Sequence, residues 1–390
     1  MAALQGLAVL LLVVVLVGLL LWLPLENLPG WGWDFAIFRA GSKSILSGDN
    51  PYLTESIVVH ADGAELATIP FFVYAPHFGL LISPLALLPP DLASRLWFAA
   101  NLVFVISSIA ILDSVFRWRP GITALSLLFL LLALHPALRT LLGVGQSGAL
   151  LLFLFSLMVY SLSKGHQTAA GVCLGLALFK PHLALVLPFL AWRRQWRAVL
   201  TSLGTFAALN IAFITLADDW LRAMVSVRQV NLSYGCLPFS SLPALVDCLP
   251  AAKGIQFAGY GLMILLAIAA VVVLVPRAEA TSVRFAVQIS LVLVMTLLLL
   301  DNVRVADTVL LVPAIVAICA TVPDLPSAWL RRSVMFLLAL AIAFPLIADI
   351  LGIANPIWKM PVFHSVGILA IAIALLFVAA SADRQFPGLS

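Results

Sequence analysis

Asp34 directly follows Trp31-Gly32-Trp33, where a first apolar run gives way to polar chain. Trp is enriched where membrane meets water, so this acid sits where a membrane helix delivers the chain to solvent. Further ionisable residues fall within or beside apolar segments. His135 and Arg139 are spaced i,i+4, Lys180 and His182 flank Pro181, and Asp301, Arg304 and Asp307 recur at intervals of three. Such residues are costly at membrane depth and are functional candidates by default. One carboxylate with several cations suits group transfer from a phosphate. Cations hold the phosphate and balance charge as its bond breaks. The carboxylate takes the proton of an incoming hydroxyl on the other face of the sugar, the inverting logic of glycosidases with an acceptor in place of water. On that reading Asp34 is the general base. Arg139, Lys180 and Arg304 hold the donor phosphate. Tyr52, His77, Gln146, His182, Asp301 and Asp307 contact sugar or acceptor.

Each residue also has an architectural reading. Asp is a favoured N-cap, so Asp34 can cap the helix that follows it. Arg304 can form an ion pair with Asp301 or Asp307. Gln146 can cap a turn, and His77 and His182 can pack or hydrogen-bond in a core. Arg95 can snorkel to lipid headgroups, and the cluster Arg193-Arg194-Gln195-Trp196-Arg197 reads as a topology signal. Lys180 resists this treatment, because an ammonium in the middle of an apolar segment needs a partner.

The elements that must position these groups are membrane helices. The 390 residues are 63% apolar and 10% charged, with mean hydropathy +1.15, whereas soluble domains carry about 25% charged residues. Long apolar runs of roughly 20 residues suit helices that span a bilayer, and no short alternating segments suggest a barrel. The expected fold is all-α, a polytopic bundle in one domain over 1–390, with catalytic-core spans in 1–217, an outer loop at 25–92, and later spans in 218–390 shaping the lipid and acceptor site. Expected spans are Ala3–Pro24 and about 93–116, 121–142, 147–163, 197–217, 254–275, 283–300, 305–321, 333–350 and 362–380. The stretch 74–90 is broken by Pro76, Pro84 and Pro89. The stretch 168–191 is interrupted at Lys180-Pro181, as a kinked span or a re-entrant hairpin. If neither crosses and the N-terminus is cytoplasmic, Arg117, Arg119, Lys164, the Arg193 cluster, Arg277, Arg331, Arg332 and Arg384 all fall inside, as the positive-inside rule requires, with about ten spans. The outer face then collects the Asp34 loop, Gly145-Gln146-Ser147, the loop 218–253 and Asp301 to Arg304. That places a polar site over an apolar bundle, facing an extracytoplasmic or lipid-linked substrate.

Between Asp34 and Leu46 the spacing predicts an amphipathic helix lying on the membrane. Arg39 and Lys43 share one face, and Phe35, Phe38, Ile45 and Leu46 the other. Cys173 and Cys319 read as packing residues, and Cys236 and Cys248 share a polar loop where a disulfide can form in an oxidising compartment. Neither a C-x-x-C pair nor an H-E-x-x-H occurs, so a metal site has no support. No basic, aromatic-interleaved patch points to nucleic acid. A lipid-linked sugar flippase is the rival reading, although such transporters usually show paired repeats and none is visible.

Several pieces in order resemble a known family. They are Trp33-Asp34-Phe35 with Gly48-Asp49-Asn50-Pro51-Tyr52; Tyr74-Ala75-Pro76 with Ser83-Pro84-Leu85-Ala86-Leu87-Leu88-Pro89; Gly145-Gln146-Ser147; and Gly171 to Lys180-Pro181 with Arg193-Arg194. The chain resembles the polyprenyl-phosphate-sugar-dependent transferases of glycosyltransferase family 87, with the GT-C membrane fold. The resemblance implies a catalytic acid in the first outer loop, matched by Asp34, and a juxtamembrane helix, matched by 74–90. It implies a hexosyltransferase of the plasma membrane with its site on the periplasmic side. Mannose or a related sugar would pass from a polyprenyl-phosphate donor to a glycolipid or glycan acceptor, with inversion and no cofactor. Family members also place a His and an aromatic–Asp pair near a late outer loop. Asp307 matches that acid, but no His stands beside it.

Overall fold

The computed structural model describes residues 32–63, 72–118, 120–121, 135–183, 185–216, 277–300, 303–350 and 360–381, with 132, 219, 222–224, 226, 261 and 269. Among the described residues the chain is helical and contains no strand. The expected spans Ala3–Pro24 and 254–275, most of 121–142, Asp301, Cys236 and Cys248 lie outside the described residues. Cys173 and Cys319 are half-buried thiols.

Helix α1 (Trp33–Ser47) forms where the spacing predicts, with other parts of the chain packed against it on more than its apolar face. Phe35, Phe38 and Ile45 are buried as expected, while Leu46 is exposed. The basic face is covered as well. Arg39 is 5% exposed; its guanidinium donates to the Leu88 carbonyl at 2.9 Å and pairs with Asp62 at 2.7 Å. Lys43 pairs with the same carboxylate. The short helix α2 (Thr54–Val59) and the turn carrying Asp62 thus fold back over α1. Intramolecular partners thus engage the basic face.

Lys43 and Arg39 hold the Asp62 carboxyl below its usual range. That stabilisation is present above the ordinary carboxylate pKa and is lost as pH falls through the lowered folded value. Asp62 has φ 54°, and Asn tolerates that left-handed backbone as Asp does. Asp62→Asn therefore isolates the charge. It is expected to cost about 1 kcal/mol in equilibrium unfolding near neutral pH, the site being partly solvated, and less at acid pH.

Helix α3 (Pro76–Ala86) has 11 residues, too few to cross a bilayer. Pro76 starts it and Pro90 starts the next, α4 (Pro90–Phe116). The expected break within 74–90 is therefore present. An aromatic cluster joins α3 to α1 and to Phe179: Phe38–Phe78 ring centroids lie 5.1 Å apart and Phe78–Phe179 4.5 Å. Such pairs contribute about 0.5–1.5 kcal/mol each beyond area burial. Helix α4 buries Ala93, Trp97, Asn101 and Val105 and exposes Leu92, Leu96, Val103 and Ile106. It is apolar on both faces, as a helix between protein and lipid is.

Helix α5 (Pro136–Val144) and α6 (Gly148–Ser163) meet at 114° across the Gly145-Gln146-Ser147 turn. From Lys164 the chain returns in α7 (Gln167–Ala177), breaks through a 3-10 turn (Pro181–Leu183), and continues in α8 (Val186–Trp192) and α9 (Trp196–Leu216). Helices α7 and α9 run side by side in the same direction. A Cβ on Gly171 would meet the Ala198 carbonyl at 2.5 Å, and one on Gly175 the Ser202 carbonyl at 2.7 Å. This is a small-xxx-small contact that only glycine permits. Arg197 consequently shares a cleft with Gly165 to Ala169 at one end, and Lys180 marks the other. The stretch 168–191 goes out and comes back, which decides for the hairpin.

The remaining described helices are α10 (Val283–Leu299), α11 (Val312–Thr321) preceded by a 3-10 turn (Val305–Leu311), α12 (Ala328–Ile350) and α13 (Met360–Ser381). Among the described residues three helical stretches, Pro90–Phe116, Val305–Asp324 and Ala328–Ile347, are long and apolar enough to cross a membrane. The bent α5–α6 pair would make a fourth. The chain is a helical membrane protein by these stretches; the described part carries fewer full-length spans than the ten expected.

Candidate active site

The site is built on the turn between α5 and α6. Gly145 has φ +73°, and its carbonyl accepts from Trp97 Nε1 at 2.8 Å. Trp97 stacks on Phe35 at 5.5 Å, and the Gly32 amide donates to the Gly143 carbonyl at 2.8 Å. The turn is thereby stitched to the start of α1, which brings Gln146 against Asp34. A Cβ on Gly145 would sit 2.7 Å from Phe35 Cβ. Gly145→Ala is expected to cost about 2 kcal/mol or more, the left-handed backbone alone accounting for roughly 1–2. Equilibrium unfolding in micelles checks this.

Asp34 is not the N-cap of α1. Gly32 holds that position, with no side-chain cap. The Asp34 carboxylate instead accepts from Gln146 Nε2. Gln146 Oε1 accepts from Lys180 Nζ at 3.1 Å and from the Tyr74 hydroxyl at 3.4 Å. Two donors on that oxygen fix which way the amide points, so its NH2 must face Asp34. Lys180 Nζ also donates to Asp307 Oδ1 at 2.7 Å and lies 5.5 Å from the centre of the Tyr74 ring. Asp307 Oδ2 lies 3.2 Å from His182 Nε2 and accepts from the Arg304 amide at 3.1 Å. The Arg304 guanidinium reaches Asp34 Oδ1 at 3.9 Å.

The arrangement has a mouth and a floor. Side-chain exposure is 39% for Arg304 and 19% for Asp34, against 7% for Lys180 and 2% for Asp307. Lys180 is committed to Gln146 and Asp307, so its partner is now identified and its ammonium is enclosed. Burial pushes the Asp34 carboxyl above its ordinary value, opposed by the Arg304 guanidinium, the Gln146 amide and the Lys180 ammonium. A carboxylate raised in this way is the better proton acceptor near neutral pH.

Of the predicted site residues, Asp34, Gln146, Lys180, His182, Arg304 and Asp307 form this one network. A His does meet Asp307 in the fold: His182, 125 positions away in sequence. Tyr52 stands one layer behind: it is buried, and its hydroxyl donates to the Tyr74 carbonyl at 2.8 Å. His77 lies elsewhere, with both ring nitrogens engaged. Its Nε2 donates to the Leu176 carbonyl at 3.1 Å, and its Nδ1 accepts from Asn210 Nδ2 at 2.9 Å. Arg139 is on the exposed face of α5, outside the buried network. Tyr74, Trp97 and Asn210 escaped the sequence reading as position-setting residues. Tyr74 alone carried a signal, as an aromatic just before the Ala75-Pro76 helix start.

Beside the network, Leu138, Val309, Val312, Ile315, Ile342 and Ile371 line an apolar cleft that also touches Thr308, the neighbour of Asp307.

The chain is 26% identical over 205 residues to an alpha-(1->3)-arabinofuranosyltransferase of Mycolicibacterium smegmatis, a match covering 48% of this chain and 47% of that one. It is 28% identical over 156 residues to the alpha-(1->3)-arabinofuranosyltransferase of Mycobacterium tuberculosis, covering 38% and 36%. The chain thus aligns with about half or less of these relatives' length. No solved structure matches it. A model of glycosyltransferase family 87 matches residues 72–300, which take in Gln146 and Lys180; Asp34 lies before this stretch, and Arg304 and Asp307 just after it. With more than half of its length matched, the chain belongs to glycosyltransferase family 87.

Proposed function

We propose that this membrane glycosyltransferase takes a sugar from a polyprenyl-phosphate donor and passes it to a hydroxyl of an extracytoplasmic glycolipid or glycan, with inversion. The observation that carries the reading is Asp34, a partly exposed carboxylate aimed by Gln146 and faced by Arg304. The acceptor oxygen attacks the anomeric carbon while the bond from that carbon to the phosphate oxygen breaks. The acceptor proton passes to Asp34, and polyprenyl phosphate leaves with the bonding pair. The donor's single negative charge plus that of Asp34 becomes the two charges of the departing phosphate monoester, so charge balances. Arg304 meets the growing charge on the phosphate. Lys180, assigned to that phosphate from sequence, becomes a positioning residue that holds Gln146. The reaction draws on no resident cofactor, because the donor already carries its leaving group.

The sugar is the open half of the specificity. The sequence resemblance implies mannose, whereas the matched relatives are by name arabinofuranosyltransferases. Purified protein offered labelled polyprenyl-phosphate-mannose and polyprenyl-phosphate-arabinofuranose, with a membrane-extract acceptor pool, is expected to transfer one of them. Movement of donor across vesicles without transfer would replace this reading by the flippase.

A further inference from the structure

We infer that Arg304 is an exchangeable counter-ion: it pairs with Asp34 until donor binds and then moves to the donor phosphate, so that Asp34 acts as a base only in the donor complex. The inference rests on the function proposed above and adds to it an order of binding, donor before acceptor.

Three observations carry it. First, the Arg304–Asp34 contact at 3.9 Å is an ion pair too long to be a hydrogen bond. By contrast the Arg304 backbone amide is fixed on Asp307 at 3.1 Å. The root of the side chain is anchored and its head is loosely held. Second, the head is the accessible part. The Arg304 side chain is 39% exposed, while Lys180, the other cation acting on Asp34, is 7% exposed and bonded to Asp307 and Gln146. Of these two, Arg304 is the one that can turn to a ligand without stripping a buried carboxylate. Third, phosphate offers a guanidinium a bidentate contact, which the long single contact to Asp34 does not match.

The consequence follows from the charges around Asp34. Facing it are Arg304, Lys180, Asp307 and Gln146, with Tyr74 and His182 behind them. Arg304 is the largest opposing influence on the rise that burial causes in the Asp34 carboxyl. When the guanidinium leaves, the carboxylate loses that restraint and becomes more basic. The acceptor hydroxyl then meets a stronger base only when a donor is present.

The test is the pH dependence of transfer in the wild type and in Arg304→Gln, with Arg304→Lys as the conservative variant. The backbone bond to Asp307 is independent of the side chain, so both variants should fold, which size-exclusion chromatography checks. The acid limb of kcat/KM for donor reports the free enzyme, and that of kcat the donor complex. Removing Arg304 should move the kcat/KM limb to higher pH and leave the kcat limb near its wild-type place. The donor KM and the inhibition constant of sugar-free polyprenyl phosphate should rise about tenfold or more, with Arg304→Lys intermediate. If both limbs move together, Arg304 stays on Asp34 throughout and the exchange is wrong. If neither moves, the resting contact has no electrostatic weight and the inference falls too. A wild type inert with every polyprenyl-phosphate sugar would instead sink the underlying reading and this inference with it.

Discussion

Asp34→Asn is expected to abolish most sugar transfer, by about 10²- to 10⁴-fold, the usual worth of a positioned general base, while the protein remains folded. The substitution is nearly isosteric. Asn keeps a carbonyl oxygen that can accept from Gln146, so the network need not rearrange. No cap is lost, because Gly32 and not Asp34 begins α1. What disappears is the ability to take a proton. Donor binding should survive, since the assigned phosphate contact is Arg304, and removing a negative charge from the mouth can only favour an anionic ligand. The loss should therefore appear in kcat, with donor KM unchanged or lower. In the wild type the base works only when ionised. Burial raises the Asp34 carboxyl, so transfer should fall as pH drops, through a limb lying above the ordinary carboxylate range. In Asp34→Asn the residual rate should lack that limb. Near wild-type transfer by the variant would end the assignment.

The local chemistry of this chain was easier to read than its long-range partnerships. Composition and run length point to helices in a membrane, and breaks fall at Pro76, Pro89 and Lys180-Pro181 as prolines and a stranded charge require; Pro84, expected to break the chain as well, sits inside α3 without ending it. Pattern could say that Lys180 needs a partner, but not that the partner is Asp307, 127 positions away. Periodicity likewise gave α1 a basic face without revealing that Asp62 and the Leu88 carbonyl cover it. A face computed from one helix carries no information on what folds back over it. In the sequence Gln146 reads as a turn cap or a ligand contact. It is the hub, because a side-chain amide both donates and accepts, and only the fold decides which groups arrive. His77 and His182 looked alike in sequence. Asn210 engages one and Asp307 the other, and neither neighbour is close in the chain.

The Lys180–Asp307 pair should be the costliest contact in the described site to break on one side. The Lys180 side chain is 7% and that of Asp307 2% exposed, and their charged atoms are 2.7 Å apart. Removing one partner leaves a buried charge uncompensated, which costs about 3–5 kcal/mol. Asp307→Ala also strips a bond from His182 Nε2 and one from the Arg304 amide. Removing both charges together is a different matter, since an apolar pair of similar volume often replaces a buried ion pair with little loss. Lys180→Met with Asp307→Leu should therefore recover most of the stability lost by Asp307→Ala, a strongly non-additive cycle as expected of residues in contact. Activity should not return with it. Without Lys180 the Gln146 amide has only the Tyr74 hydroxyl to hold its orientation, and Asp34 loses its aimed donor. Equilibrium unfolding in mixed micelles and sugar transfer, measured on wild type, Lys180→Met, Asp307→Leu and the double variant, separate the two effects. A folded but inactive double variant would establish the pair as a positioning device for Asp34. A double variant as active as wild type would show that Gln146 and Asp34 keep their geometry unaided, and that the buried pair serves stability alone.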